Sequence, residues 1–281
     1  MRALKNLVTV EGMEESLSYS FLKMQALGND FVLFPNAPTF SPETLRQIAH
    51  RKWGIGCDQV LILHPPLEPD SCDALLDIWN ADGTQAEACG NGTRGVISYL
   101  WEKTHPSRPL RLQTLQGVLR GKRCSDGQIQ VEQGTPAFLL GKNTLDLREL
   151  GLPPGIPVNM GNPHLVIFVS SFDSLDINSL GEQLEKHPFF PNRTNVIFAT
   201  VVSSTQLALR IWERGAGHTL ACGSGACAAV AAAIHHQKIS PPKVQVILEG
   251  GSLEITYHPG GPILQKGPVQ VVYKGVWLGN D

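Results

Sequence analysis

Ala88-Cys89-Gly90-Asn91-Gly92 returns further along the chain as Ala221-Cys222-Gly223-Ser224-Gly225, an offset of 133 residues from Cys89 to Cys222. Ile78-Trp79 returns at the same offset as Ile211-Trp212. Gly28-Asn29, followed by the apolar run 31–34, returns as Gly161-Asn162, followed by 165–169. Three collinear matches at one spacing, each at a turn or element boundary, identify an internal duplication. Two copies of that length and an N-terminal extension, 1–17, nearly account for the 281 residues.

Within each copy the order is a Gly-Asn turn, an apolar strand, an Ile-Trp strand, then a cysteine followed by a helix. Runs rich in β-branched and aromatic residues, bounded by Gly, Pro, Asn or Ser, predict strands at 31–34, 59–63, 165–169, 196–202, 207–212, 244–248 and 269–273. Helices are expected at 42–52, where Ser41 can cap and Pro42 opens the first turn, at 93–103, at 226–235 and at 180–186. The segment 226–234 is apolar on every side, so it must be enclosed by protein. The expected fold class is therefore α+β: two pseudo-symmetric domains, each a strand layer or barrel wrapped around a central helix. The expected division is an N-terminal half, 18–134, completed by a C-terminal strand from 268–281, and a C-terminal half, 135–267.

Composition narrows the function. With 25 acidic and 23 basic residues the net charge is −2, which supplies no electrostatic footprint for nucleic acid or an anionic membrane. The 28 glycines and 20 prolines call for many turns. No apolar run approaches the roughly 20 residues of a membrane span, and 1–17 lacks the apolar core of a signal peptide. The expected protein is cytoplasmic, with reduced thiols and a small-molecule partner. Cys57, Cys72, Cys124 and Cys227 read as small buried hydrophobes. There is no Cys-x-x-Cys, and Cys222 and Cys227 do not share a helix face, so no metal site is expected.

Cys89 and Cys222 are different. A cysteine just before a helix sits in the positive field of the helix start, which favours thiolate over thiol. The glycines after it leave first-turn N–H groups open to an anion such as a carboxylate. Duplication can set two such sites on opposite faces of one carbon. One thiol then removes a proton while the other returns one, inverting the centre with no cofactor. Two alternatives stay open: a cysteine hydrolase using one thiol, and a silent amino-acid-binding module.

Beyond these spacings, the segments 21–31 (FLKMQALGNDF), 54–59 (GIGCDQ), 80–83 (NADG), 88–92, 160–164 (MGNPH), 213–217 (ERGAG) and 221–226 resemble those of the diaminopimelate epimerase family, in order, from about residue 20 to the C-terminus. The resemblance implies interconversion of LL- and meso-2,6-diaminopimelate without pyridoxal phosphate or metal, on the route to lysine and peptidoglycan precursors. It implies that Cys89 and Cys222 are the acid/base thiols. Gly90, Asn91, Gly223 and Ser224 would hold the reacting amino-carboxylate end. Asn29, Gln59, Asn80, Asn162, Asn195 and Arg214 would contact the rest of the substrate, with Arg214 on the distal carboxylate. His164 and Glu213 would orient the substrate and adjust thiol protonation. The chain departs from the family pattern at Gly217-His218-Thr219, where Gly-Glu-Thr is expected, and at Gly95, where the family has a cysteine or apolar residue. A racemase for another amino acid, such as glutamate, is the nearest alternative, and a homodimer is compatible with the sequence.

Overall fold

Four α-helices are set among seventeen strands in a computed structural model that describes residues 18–36, 38–86, 89–240 and 242–279. The extension 1–17 lies outside the described residues. The helices are α1 (Pro42–Ala49), α2 (Gly90–Thr104), α3 (Ile177–Glu185) and α4 (Gly223–His235).

One pairing pattern occurs twice. Asn29–Phe34 lies parallel to Gln59–His64, which is antiparallel to Ala74–Asn80. That strand is parallel to Leu110–Thr114, and antiparallel Gly117–Arg123 and Ile129–Glu132 follow. The same succession runs through Pro163–Phe168, Asn195–Ser203, Gln206–Glu213, Lys243–Leu248, Gly251–Tyr257 and Ile263–Gly267. Val60 faces Trp79 as Val196 faces Trp212, so the Ile-Trp repeats are equivalent in space. Gln270–Leu278 pairs with Ser18–Ala26, and Ala137–Phe138 pairs in the same antiparallel sense with Gly155–Asn159. Ile129–Glu132 also runs antiparallel to Ile263–Gly267, which joins the halves through a backbone seam.

Each half wraps its strands around one helix. In α4 every residue from Gly225 to Ile234 is buried, and its run of alanines lets strands approach closely on all sides. The first-half helix differs from the fully enclosed expectation. α2 is buried only from Gly90 to Ile97, and then emerges where Glu102 and Lys103 need water. The outer faces carry the shorter helices. α1 packs Leu45 and Ile48 near Phe34 and Ile62, and α3 packs Leu184 near Leu165 and Phe198.

Helix limits shift for local reasons. α2 and α4 start three residues earlier than expected because Cys89 and Cys222, both extended, are themselves the N-caps. α1 stops at Ala49, where His50 turns to extended backbone and its Nδ1 accepts from the N–H groups of Lys52 and Trp53. α3 starts at Ile177 because Asp176 caps the Ser179 N–H at 3.0 Å.

Candidate active site

Both cysteine motifs become helix first turns. Cys89 Sγ accepts from the Gly92 N–H at 3.2 Å, and Thr93 Oγ1 donates to the Cys89 carbonyl at 2.8 Å. Cys222 Sγ lies 3.5 Å from Ser224 Oγ. First-turn N–H groups at Gly90, Gly223 and Ser224 have no carbonyl four residues back within the helix to bond. A fully buried residue, Gln265, shows how close the two starts are. A Cβ on Gly90 would sit 3.1 Å from Gln265 Oε1, and one on Gly223 would sit 2.5 Å from Gln265 Nε2. One side chain thus packs closely on both glycines, more tightly on Gly223 than on Gly90. Asn91 Nδ2 also donates to the Ala221 carbonyl at 3.3 Å, from one start to the other.

A cleft of about 600 Å³ opens between the halves. Asn29, Gln59 and Asn80 reach it from the first half, and Glu213, Arg214 and His218 from the second. Gly28 has φ +84°, and a Cβ there would press within 2.8 Å of Leu220, so this turn must be glycine for the halves to meet. Arg51, Asp58 and Asp82 also line the cleft. Sequence reading missed them, although Asp58 stands next to the expected Gln59.

The other expected residues, Cys89 and Cys222 included, are not among those that line this cleft. His164 is fully buried, with Nε2 2.9 Å from Asn162 Oδ1. The Asn195 amide is committed to the backbone: Nδ2 donates to the Pro163 carbonyl and Oδ1 accepts from the Arg214 N–H at 2.9 Å. In this structure Asn195 therefore positions Arg214. Glu213 accepts from Thr219 Oγ1 at 2.6 Å. Three buried acceptor-capable atoms, Asn29 Oδ1, Gln59 Oε1 and His164 Nδ1, have no hydrogen-bond partner among the described residues. Buried polar atoms left open in this way can be satisfied by water or by a polar ligand.

His218 stands where the sequence resemblance leads to glutamate being expected. Its Nε2 lies 2.6 Å from Glu249 Oε2, and Glu249 also pairs with Arg210 at 3.6 Å. A carboxylate is thus kept next to the cleft, supplied from another strand connection.

The electrostatics correct one expectation. Helix-start N–H groups do favour the thiolates, yet burial outweighs them here. Burial pushes Cys89 up to about 12, with Glu213 adding to the rise and the Gly92 N–H and Arg94 opposing it. Cys222 is pushed well above the usual thiol range by burial and then by Glu213. Glu213 is itself raised by burial, which hydrogen bonds from Thr219 and Cys222 partly offset. Burial, followed by the charge of Arg214, pulls His164 down to about 3. The imidazole is therefore neutral at pH 7. Of the other four cysteines, Cys57, Cys72 and Cys227 are buried as expected, whereas Cys124 is half-buried beside a tight turn.

Comparison with known proteins agrees with this duplicated fold. A family model described as diaminopimelate epimerase matches residues 21–139 and 156–272. A diaminopimelate epimerase of Rhizorhabdus wittichii is 40% identical over 266 residues, covering 90% of this chain and 93% of its own. One from Sphingopyxis alaskensis is 41% identical over 267 residues, covering 91% and 96%. Among solved structures, a hydroxyproline epimerase from Agrobacterium vitis superposes with a TM-score of 0.72 at 14% identity, covering 94% of this chain and 93% of its own. A PhzF-family phenazine biosynthesis protein from Bacillus anthracis superposes with a TM-score of 0.68 at 17% identity, covering 93% and 99%. At these identities the two structures share the fold.

Proposed function

This chain belongs to the diaminopimelate epimerase family, and from that premise we propose that it interconverts LL- and meso-2,6-diaminopimelate by proton transfer between Cys89 and Cys222. The reaction needs neither pyridoxal phosphate nor metal, and it serves lysine and peptidoglycan precursor synthesis. The observation that carries the reading is the convergence of two cysteine-capped helix starts on one side chain, Gln265, with Asn91 bonded across to Ala221.

The chemistry follows from that arrangement. The substrate's reacting carboxylate takes the first-turn N–H groups at Gly90, Asn91, Gly223 and Ser224, which the helix dipoles make attractive to an anion. One thiolate removes the α-hydrogen as a proton and becomes a thiol. The opposite thiol gives its proton to the other face of the carbon and becomes a thiolate. The centre is inverted and the two sulfurs exchange roles. Negative charge building on the carboxylate in the transition state meets N–H donors already in place, in a site where little water screens them. Glu213 and neutral His164 hold the amino end, and Arg214, with Asn29, Gln59 and Asn80, receives the distal end.

The test is conversion of LL-diaminopimelate by Cys89→Ser and Cys222→Ser proteins. Each is expected to lose at least ~10³-fold in rate, since each removes a proton-transfer group. Wild-type rates in either variant would overturn the two-thiol reading. A trapped acyl-enzyme would favour the hydrolase instead.

A further inference from the structure

Glu185, the last residue of α3, carries a buried carboxylate that does not line the cleft. Its Oε2 accepts from the Trp212 indole Nε1 at 2.7 Å. Its Oε1 accepts from the Gly215 N–H and from Arg193 Nη1, both at 3.2 Å. The Glu185 carbonyl accepts from the Thr194 N–H at 3.0 Å. Burying a carboxylate is costly unless donors face it, and here three donors reach its two oxygens. A Cβ on Gly181 would come within 2.5 Å of Trp212 Cγ, so α3 lies directly on the indole and brings Glu185 to it.

The two segments that Glu185 ties together are those that hold Arg214. Asn195 Oδ1 accepts from the Arg214 N–H at 2.9 Å, and the Asn192 carbonyl accepts from Arg214 Nη1 at 3.3 Å. The strand Gln206–Glu213 ends one residue before Arg214, which stands in the turn leading to Gly217–Thr219. Glu213 is fixed by its pairing with Gly217 and by the Thr219 hydroxyl. Arg214 lies outside that ladder and takes its place from anchors on either side, Gly215 among them. The first half has a different arrangement. Trp79, the spatial counterpart of Trp212, has a buried Nε1 with no partner among the described residues. At the 133-residue offset Glu185 corresponds to Lys52, past the end of α1. The fold therefore seats this tryptophan without a carboxylate, and the carboxylate stands in the half whose turn carries Arg214.

We propose that Glu185 is a positioning residue that holds Arg214 in the cleft, through Gly215 and the 193–194 segment, and so sets the grip on the substrate's distal carboxylate. The inference rests on the epimerase reading for its ligand, while the hold on the turn is tested without turnover.

Glu185→Gln has nearly the same volume but turns one acceptor oxygen into a donor facing donors. Its KM for LL-diaminopimelate is expected to rise about tenfold with kcat within about threefold of wild type, because the distal carboxylate is gripped alike in ground and transition states. In an Arg214→Ala background the same substitution is expected to lower kcat/KM by less than about threefold, since the side chain it positions is gone. Effects that multiply in the double variant, or an unchanged KM in folded Glu185→Gln protein, would overturn the proposal. Deuterium exchange of peptides spanning 212–217, followed by mass spectrometry, supplies the readout without turnover. Exchange there is expected to quicken about tenfold in Glu185→Gln while α4 peptides stay unchanged, and unchanged exchange at 212–217 would also overturn it. Should Glu185→Gln fail to fold, Glu185→Asp withdraws both oxygens by one methylene and is expected to quicken the same exchange at least about threefold, with no change again the contrary result. If the wild-type protein left LL-diaminopimelate unconverted while the exchange pattern held, the epimerase reading would fail and the clamp on the turn would stand.

Discussion

Asn91 Nδ2 lies 3.3 Å from the carbonyl oxygen of Ala221, so the first turn of one central helix is hydrogen-bonded to the residue that precedes the second cysteine. The bond fixes the separation of the two helix starts. Proton transfer to and from a single carbon tolerates little error in that separation.

Asn91→Ala should therefore lower both catalysis and stability. It removes two buried hydrogen bonds, one to the Ala221 carbonyl and one from the Arg94 guanidinium, at about 1 and about 1.5–3 kcal/mol. The misalignment is expected to lower kcat by roughly 10- to 100-fold. Steady-state kinetics together with thermal melts would check this, and an unchanged kcat would count against the alignment role.

His164 supplies a prediction about pH. Its folded value, about 3, lies below the ordinary 6.5, because burial and Arg214 disfavour the imidazolium. Between those values the unfolded chain binds a proton that the folded protein does not. Stability is thus fully present above 6.5 and is lost as pH falls, by about 1.4 kcal/mol per pH unit below 6.5. His164→Asn should remove that portion of the slope between pH 6.5 and 5. Side-chain NMR of the wild type should show no His164 titration from pH 8 to 5, and a midpoint near 6.5 would refute the assignment.

Asp73 should lose a stabilising contribution in acid, where an ordinary exposed carboxylate contributes little. The Arg108 guanidinium grips both oxygens, at 2.6 and 2.9 Å, and the Arg111 N–H adds a bond at 2.7 Å. These contacts hold its carboxyl well below the usual range against the opposing effect of burial. With the folded pKa depressed, its stabilisation is present above the unfolded value near 3.9 and is lost as pH falls toward the folded value. Asp73→Asn should destabilise by about 1–3 kcal/mol at pH 7. The difference from wild type should shrink steadily below pH 4 in urea titrations, and a pH-independent difference would contradict the ion pair.

Much of this architecture was legible because duplication repeats its punctuation. Gly-Asn turns, Ile-Trp strands and Cys-Gly helix starts fall where spacing places them, and the enclosed α4 follows from a run with no polar face. Less legible were strands such as Gly117–Arg123, whose exposed positions carry Arg120, Lys122 and Arg123 and dilute the apolar signal. The inner tie was missed for a related reason. Gln265 takes an inward position in the alternating strand Ile263–Gly267, between buried Ile263 and Gly267, where an apolar residue would ordinarily stand. A polar residue on the buried phase of a strand was the available signal. Its partner Arg94 gave none, since a helical arginine is ordinarily solvated.

The most direct measurement is isotope incorporation from D2O at low conversion. With two thiols on opposite faces, the acid that delivers the new hydrogen is not the base that took the old one. LL-diaminopimelate should therefore give meso product carrying one deuterium at the inverted carbon, while recovered LL substrate remains unlabelled. Product formed without deuterium, or deuterium appearing in recovered substrate as fast as in product, would contradict the account.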